Sequence, residues 1–372
     1  MKIRDFGVEM WMNAYETWAT CNLAETCVES LTVKQLLELT GAGDKAIQDI
    51  LAMKLTYGAI DGSQRLREAI SSLYKTVPPE RISVMHGAIG ANALTLTGII
   101  EPGDHVVTVV PTYQQHYSIP ESIGAKVSLC RLKEELGWQP DLDELRRLAA
   151  PGTKMICINN PNNPTGALID EDTLSAIVEI ARACGAWLLC DEAYRGLSHE
   201  GDPFSPSVAD LYEKGISTGT MSKPFSLAGL RVGWVAAPAE VIEMLAHMRD
   251  YHVISVGMID DYLAALALEN KEKILARSLS ICREHLAILD DWVAREPHIH
   301  YTKPKAGTVT LLHYDLDMPS PVLCRRLQED TGVMLLPGSC FDMEKCLRIG
   351  FANNRQDLER GLSIFSQWLA AL

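Results

Sequence analysis

Between about residues 80 and 240, short apolar runs alternate with longer segments in which apolar positions recur at helical spacing. The short runs are typical of buried strands, and the longer segments are typical of amphipathic helices. The predicted strands are residues 81–85, 105–110, 126–132, 155–159, 186–190 and 215–220, and the predicted helices include 91–100, 118–124 and 170–184. This alternation predicts an α/β fold with a mostly parallel central sheet and helices on both faces.

Beyond about residue 275 the pattern changes. It predicts a long helix at 271–295, a strand at 308–314, a helix at 320–331, and two further apolar runs at 333–337 and 346–351. We interpret this part as a smaller α+β domain that the N-terminal segment joins. The predicted division is a large domain at 30–272 and a small domain formed by 1–29 and 273–372.

The ten cysteines of the 372 residues are scattered, and no Cys-x-x-Cys pair occurs. Several of them lie singly within predicted strands or helices, as buried reduced thiols do. We therefore expect a reducing, cytoplasmic compartment and neither a disulfide framework nor a cysteine metal site.

The charge balance limits the possible partners. The chain has 34 Lys and Arg against 48 Asp and Glu, a net charge of −14, which disfavours binding to nucleic acid or anionic membranes. No segment reaches the roughly 18 uncharged apolar residues of a membrane helix. The N-terminus mixes acidic and aromatic residues where a secretory signal is continuously apolar. We expect no membrane span, no export and no nucleic-acid partner.

In parallel sheets, ligands bind beyond the carboxyl ends of the strands, so candidate chemistry lies just after each predicted strand. A small-residue turn at 86–90 opens a helix, whose free N–H groups suit a phosphate or simply form a tight turn. Asp191 follows a buried strand and needs a cationic partner, such as a protonated pyridine nitrogen, unless it caps a helix. Lys223 follows the last strand among small and apolar residues. Burial would lower its pKa and prepare the amine for imine formation, whereas the alternative is a loop lysine at the surface.

Four sequence elements together resemble one family. Residues 163–166 (Asn-Pro-Thr-Gly), Asp191 with Tyr194, residues 220–223 (Thr-Met-Ser-Lys) and Arg231 match the class I/II aminotransferases in both order and spacing. These are enzymes that depend on pyridoxal 5′-phosphate (PLP). The resemblance implies the PLP-transferase fold type I, with a large PLP-binding domain and a smaller α+β domain.

The resemblance also implies roles for individual residues. Lys223 would hold PLP as an internal aldimine and then move the α-proton of the substrate, while Asp191 would pair with the pyridinium nitrogen. Tyr194 and Asn163 would hydrogen-bond the phenolic oxygen of the ring, and Tyr113 would stack on its face. The implied phosphate ligands are Thr220, Ser222, Arg231 and the backbone of Ala88 and Ile89.

Three further positions concern the substrate and a second subunit. Tyr57 resembles the tyrosine that reaches the phosphate of the neighbouring subunit, which implies a homodimer with shared active sites. Arg348 resembles the arginine that binds the α-carboxylate of the substrate, and its planar fork suits a bidentate carboxylate. Asn163 is a second candidate for substrate contact. Trp11, with its neighbours Met12 and Asn13, is a candidate cap of the substrate pocket, with a plain packing role as the alternative.

The family resemblance implies transfer of an amino group between an L-amino acid and a 2-oxo acid. The same scaffold also supports C–S bond elimination and ring-forming chemistry, and residues 231–234, 249–251 and 336–338 resemble capreomycidine synthase, a PLP-dependent cyclase of a hydroxylated arginine. These alternatives stay open, as does the choice of amino acid. A PLP-binding transcription regulator is disfavoured, because too few residues precede Tyr57 for a DNA-binding domain and the net charge is negative.

Overall fold

The structure is a computed structural model that describes residues 2–372. Its strands are β1 (Cys21–Asn22), β2 (Ile82–His86), β3 (His105–Val110), β4 (Lys126–Arg131), β5 (Thr153–Asn159), β6 (Trp187–Asp191), β7 (Gly215–Thr220), β8 (Val232–Ala236), β9 (Ile299–His300), β10 (Val309–Tyr314), β11 (Val333–Met334), β12 (Leu336–Pro337) and β13 (Cys346–Gly350). Its helices are α1 (Gly7–Tyr15), α2 (Val33–Thr40), α3 (Gly43–Leu51), α4 (Gln64–Ser71), α5 (Gly87–Ile99), α6 (Gln115–Ile123), α7 (Leu142–Leu148), α8 (Glu171–Cys184), α9 (Val208–Leu211), α10 (Ala239–Arg249), α11 (Met258–Glu269), α12 (Lys271–Val293), α13 (Ser320–Thr331) and α14 (Arg355–Leu369). Among residues 2–372, no helix is both long and apolar enough to span a bilayer.

A seven-stranded sheet in the order β2-β8-β7-β6-β5-β3-β4 forms the centre of the molecule. The pairs among β3, β4, β5, β6 and β7 are parallel, whereas β8 runs antiparallel to both of its neighbours. The predicted mostly parallel α/β sheet and the fold type I architecture are therefore confirmed. Strand β8 was not among the predicted strands. Its five residues include Gly233 and directly follow Arg231, so this stretch was assigned to the motif of Arg231.

Helix α8 shows how the sequence specifies its own boundaries. Asp170 is the N-cap, and its side chain accepts a hydrogen bond from the N–H of Thr173. At the other end Gly185 adopts the left-handed conformation, at φ 74°, that terminates a helix. Leu174 and Ile177 lie on the buried face. The predicted helix at 170–184 is confirmed.

The second part of the chain builds a four-stranded antiparallel sheet in the order β12-β13-β10-β9. The N-terminal segment reaches this part, since β1 pairs in parallel with β11. That pairing agrees with an N-terminal segment that joins the smaller unit, while the boundaries at residues 29/30 and 272/273 stay a prediction.

The antiparallel strand β8 determines where the site lies. In its register, Val232 is opposite His86 at the end of β2, and Gly233 is opposite Thr220 at the end of β7. Strand β8 therefore begins where β2 and β7 end. Arg231, which immediately precedes it, is thereby placed beside the start of α5 and beside the residues that follow β7.

Candidate active site

A cavity of about 440 Å³ lies beyond the carboxyl ends of the central strands. Most of the residues predicted for the site line it: Ala88, Ile89, Tyr113, Asn163, Asp191, Tyr194, Thr220, Ser222, Lys223, Arg231 and Arg348. The topology thus brings together side chains from positions up to about 260 residues apart.

Lys223 lies on the cavity wall just after β7. Its Nζ donates to Thr26 Oγ1 at 2.6 Å and to Cys27 Sγ at 3.3 Å. Within residues 2–372, no carboxylate oxygen lies within 4.0 Å of this nitrogen. The amine is therefore held by neutral partners that an incoming electrophile can replace.

The surroundings of Lys223 change the pKa that the sequence predicts. Burial lowers the pKa of the ammonium group, but the nearby Cys27, Tyr194 and Glu25 raise it, and the pKa lies above its ordinary value. The prediction of a lowered pKa is therefore wrong. The error has a physical cause, because the groups that raise the pKa, Glu25, Cys27 and Tyr194, are remote from Lys223 in sequence.

Asp191 ends β6 inside a buried hydrogen-bond network. Its Oδ2 accepts from Asn92 Nδ2 at 2.7 Å, its Oδ1 accepts from the N–H of Ala193 at 2.9 Å, and Thr218 Oγ1 donates to Asn92 Oδ1 at 2.8 Å. His116 Nε2 lies 3.8 Å from Oδ2, and burial lowers the pKa of this histidine despite the opposing effect of Asp191. The carboxylate is thus oriented by neutral donors, and its charge is available for a cation in the cavity.

The start of α5 offers an anion site. Its N-cap, His86, makes no side-chain hydrogen bond to the first turn, and the next residues, Ala88 and Ile89, line the cavity. Gly87 has φ 67°, and a Cβ built there would lie 2.8 Å from Arg231 Nη2. Only glycine therefore lets the guanidinium approach the helix start this closely, and both supply positive charge for a phosphate.

The end of β7 completes this anion site with hydroxyl groups. Thr220 Oγ1 and Ser222 Oγ are 3.0 Å apart, and both residues are buried. Arg231 adopts the left-handed φ of 53°, which is disfavoured for residues with a Cβ, and it is fixed there by its position before β8. Two hydroxyls, a guanidinium and free N–H groups thus converge on one side of the cavity.

Arg348 on β13 is buried at 2% exposure without an anionic partner. Its Nη1 donates to Asn163 Oδ1 at 3.2 Å, its Nη2 donates to the carbonyl of Ala24 at 3.1 Å, and its Nε is buried and unpaired. Among the described residues, no carboxylate lies within 4.0 Å of the guanidinium. Since an uncompensated buried charge is costly, this arrangement points to an anionic ligand in the cavity.

The aromatic residues of the site are buried against its walls. Tyr194 is 3% exposed and faces the cavity. Tyr113 donates from its hydroxyl to Glu9 Oε1 at 2.8 Å, and its ring packs against Phe6 with the centroids 4.7 Å apart. These contacts fix the Tyr113 ring at the end of β3.

Two predicted site residues are not brought to the cavity of this chain. The indole of Trp11 donates to the carbonyl of Leu335 and packs against Tyr15, so that its neighbours Met12 and Asn13 line the cavity and Trp11 does not. The structure therefore favours the packing role for Trp11. Tyr57 is 76% exposed and also lies outside the lining residues.

The N-terminal segment contributes a wall of the cavity that the sequence predicted only at Met12 and Asn13. It includes Glu9, Glu16, Glu25, Thr26 and Cys27. Burial and the charges of Glu25 and Glu9 raise the pKa of Glu16, which shows that the three carboxylates interact. Burial would raise the pKa of Glu25, but Lys223 and the N–H groups of Thr26 and Cys27 lower it below its ordinary value. The sequence of this segment has no periodicity or motif that indicates these acidic residues as part of a site.

These features together fit PLP and an amino acid. The cavity offers an amine without a carboxylate partner (Lys223), a buried carboxylate that can face a pyridinium nitrogen (Asp191), a phosphate site at the start of α5, and a second unpaired cation (Arg348). Fold and site thus define a fold type I PLP-dependent enzyme.

The comparisons with known proteins support this class. The sequence model of "Aminotransferase class I and II" matches residues 36–365, and the chain belongs to this family. The chain is 44% identical to a PLP-dependent aminotransferase from Streptococcus suis, whose crystal structure superposes with a TM-score of 0.97 over 100% of this chain and 99% of that one.

Two further relatives carry other activities in their names. Capreomycidine synthase of Streptomyces vinaceus is 29% identical over 365 residues, which cover 97% of this chain and 93% of the relative. The structure of the PLP-dependent cyclase OrfR superposes with a TM-score of 0.91 at 26% identity, over 100% of this chain and 98% of that one. The predicted family and the predicted cofactor, PLP, are confirmed, whereas these relatives leave the reaction itself undecided.

Proposed function

We propose that this protein is an aminotransferase that moves an amino group between an L-amino acid and a 2-oxo acid. The observation that carries the proposal is the shared cavity of Lys223 and Arg348, two cations that lack a carboxylate within 4.0 Å among the described residues. One is suited to bind the cofactor and move a proton, and the other is suited to bind the α-carboxylate common to both substrates.

Each residue has a defined task in this proposal. PLP, when bound, supplies an electron sink for the carbanion formed at the substrate Cα. Lys223 Nζ would hold the cofactor and would act as the base that takes up the α-proton of the substrate and returns it. Asp191, oriented by Asn92, keeps a cation at the pyridine nitrogen. Arg348 fixes the carboxylate and thereby the direction of the Cα–H bond.

The remaining residues position the cofactor. Tyr194 and Asn163 are proposed to hydrogen-bond its phenolic oxygen, and Tyr113 is proposed to stack on the ring. Thr220, Ser222, Arg231 and the N–H groups of Ala88 and Ile89 are proposed to bind the phosphate. Asn163 also accepts a hydrogen bond from Arg348, so it can couple the cofactor side of the cavity to the carboxylate side.

The carboxylates of the N-terminal wall suggest a side-chain preference. Glu9, Glu16 and Glu25 line the same cavity as Arg348. A substrate whose α-carboxylate binds Arg348 shares the cavity with these three interacting carboxylates, and this wall offers it no free cation. We therefore propose that the preferred amino donor carries a cationic side chain. The carboxylates attract such a side chain and offset its loss of hydration in the cavity.

Cyclisation is the second candidate reaction. One observation favours it. The chain that forms this cavity with its acidic wall is similar to capreomycidine synthase over 97% of its length. In that case Lys223 would move the protons, a nucleophile within the substrate side chain would displace a leaving group of the same substrate to close the ring, and no 2-oxo acid would be consumed. A C–S lyase would likewise need no 2-oxo acid.

A half-reaction assay distinguishes these reactions. The purified PLP-bound protein is mixed with arginine, norleucine or glutamate, with and without 2-oxoglutarate, and the cofactor spectrum, amino-acid products and ammonia are followed. We expect a donor to convert the bound cofactor to its amine form and 2-oxoglutarate to restore it, without release of ammonia. We also expect arginine to exceed norleucine, whose side chain is shorter and uncharged, at least about tenfold in kcat/KM, as a hydrogen-bonded charge pair suggests.

Other results would contradict one part of the proposal or the other. Ammonia release or ring formation that needs no 2-oxo acid would contradict transamination. Equal rates with arginine and norleucine would contradict the cationic preference and leave transamination intact.

We further propose a homodimer with shared active sites. Tyr57 lies in a segment with unusually exposed apolar side chains, since Leu51 is 74%, Leu55 77% and Ile60 51% exposed. Such exposure is typical of a surface that a partner covers. In this dimer Tyr57 binds the phosphate held by the other subunit.

Mixed dimers test this assignment. Subunits with Lys223→Ala and subunits with Tyr57→Ala, each inactive or impaired alone, are coexpressed with different affinity tags and the heterodimer is isolated. If Tyr57 serves the partner, one of the two sites is fully wild type, and we expect about half of the wild-type activity. If Tyr57 serves its own subunit, both sites are defective and no such recovery occurs.

We also propose that the protein works in the cytoplasm. The ten cysteines are free thiols in the described chain, which agrees with a reducing compartment.

A further inference from the structure

A second cluster of potential ligands lies outside the active-site cavity. It consists of Glu134, His300 and His313, which each offer one ligand atom, and these atoms all lie within 4.8 Å of one another. None of the three lines the cavity of Lys223. The cluster therefore has no part in the reaction proposed above.

The backbone fixes the two histidines as a pair. His300 on β9 and His313 on β10 are directly opposite in the antiparallel register. Their rings lie 5.4 Å apart at 26°, and Trp138 also stacks on His313 at 5.9 Å and 18°. The His313 ring is thus held by contacts with two flat partners.

Glu134 approaches this pair from the loop that follows β4. Its Oε2 lies 3.6 Å from His313 Nε2, and its Oε1 accepts a hydrogen bond from Thr302 Oγ1 at 3.0 Å. The threonine therefore orients the carboxylate so that its second oxygen faces the imidazole. Outer hydrogen bonds of this kind are typical of carboxylates that bind metals.

His313 Nε2 is buried and has no hydrogen-bond partner. A neutral imidazole offers a lone pair, and a buried lone pair without a donor is uncommon unless a ligand uses it.

We propose that Glu134, His300 and His313 bind a divalent transition cation of the zinc class. Two imidazole nitrogens and one carboxylate match Zn²⁺ rather than Mg²⁺ or Ca²⁺, which prefer oxygen ligands. In a tetrahedral zinc site the ligand atoms lie about 3.4 Å apart, given bonds of about 2.1 Å. The Glu134–His313 pair already has this spacing, and the exposed ring of His300 can close the remaining distance by a small rotation.

The cation would join two parts of the fold. Glu134 follows β4 of the seven-stranded sheet, whereas both histidines belong to the four-stranded sheet. Because His300 is exposed, water can reach the cation and complete its coordination. Binding therefore stabilises the contact between the two sheets and does not create a second catalytic centre.

Calorimetric titration of the PLP-bound, chelator-dialysed protein with ZnCl₂ tests the proposal. Because free thiols and the cofactor phosphate can also bind zinc, the site is defined by variants. We expect one tight equivalent in the wild type, and its loss or at least about tenfold weakening in His300→Ala and in Glu134→Gln. His298→Ala is the matched control, since this exposed histidine pairs with Asp315 and lies outside the cluster.

Thermal unfolding gives an independent readout. At a Zn²⁺ concentration of about 100 times Kd, we expect the wild-type midpoint to rise by about 3 °C, with no such rise in His300→Ala. A wild type that binds no tight equivalent, or His300→Ala and Glu134→Gln variants that bind zinc like the wild type, would overturn the proposal.

Discussion

Replacement of Lys223 by alanine is expected to reduce amino-group transfer by a factor of at least about 10⁴. The variant loses both the amine that holds the cofactor and the base that moves the α-proton, and general base catalysis alone is worth about 10²–10⁴. The buried surroundings of Lys223 offer no substitute, since its Nζ contacts only Thr26 and Cys27. Single-turnover and steady-state kinetics with the preferred donor measure the loss.

Two controls separate chemistry from folding. Lys271→Ala removes a lysine whose Nζ contacts only the Ser72 hydroxyl and the Glu272 carboxylate, and it should leave turnover within about twofold of wild type. Small primary amines in solution should partly restore proton transfer in Lys223→Ala, because they can enter the space left by the side chain. Activity of Lys223→Ala within tenfold of wild type would refute its catalytic role.

The second large effect is expected for Arg348→Ala, with kcat/KM lowered by about 10²–10³. Loss of one member of a buried, hydrogen-bonded charge pair costs roughly 2–5 kcal/mol, and here the partner left unpaired is the substrate carboxylate. Arg348→Lys should recover only part of the loss, because an ammonium group cannot form the bidentate contact.

The division between kcat and KM identifies the role of Arg348. A residue that only binds the carboxylate raises KM, whereas one that also fixes the Cα–H bond lowers kcat as well, and we expect both changes. Arg355→Ala is the matched control, since this arginine is exposed and pairs with Glu359 on the surface. An Arg348→Ala variant with unchanged kinetics for α-amino acids would show that the carboxylate binds elsewhere.

Much of the fold could be predicted because its elements carry local signals. Helix α8 has its cap at Asp170 and its terminating glycine at Gly185, so both ends are written in the sequence. The parallel strands are short apolar runs between such helices. The antiparallel direction of β8 could not be predicted in this way, because it follows only from the pairing of β8 with β2 and β7.

The site residues that directly follow a strand could be predicted from the sequence. Those that other segments contribute, and that approach the site only in the folded chain, were missed. Asp191 and Lys223 follow β6 and β7, and a parallel sheet brings such ends together. Asn92, which orients Asp191, was predicted only as part of a helix, and Glu25, which affects the pKa of Lys223, lies in a segment with no motif. Of the three predicted cap residues, Met12 and Asn13 line the cavity, whereas Trp11 packs against the small domain through its contact with Leu335.

Borohydride reduction of the PLP-bound protein, followed by proteolysis and mass spectrometry, tests the central claim most directly. We expect that one peptide carries the reduced cofactor and that the modified residue is Lys223. The label should be absent in Lys223→Ala and unchanged in Lys271→Ala. A label on another lysine, or a reducible bond that persists in Lys223→Ala, would contradict the account.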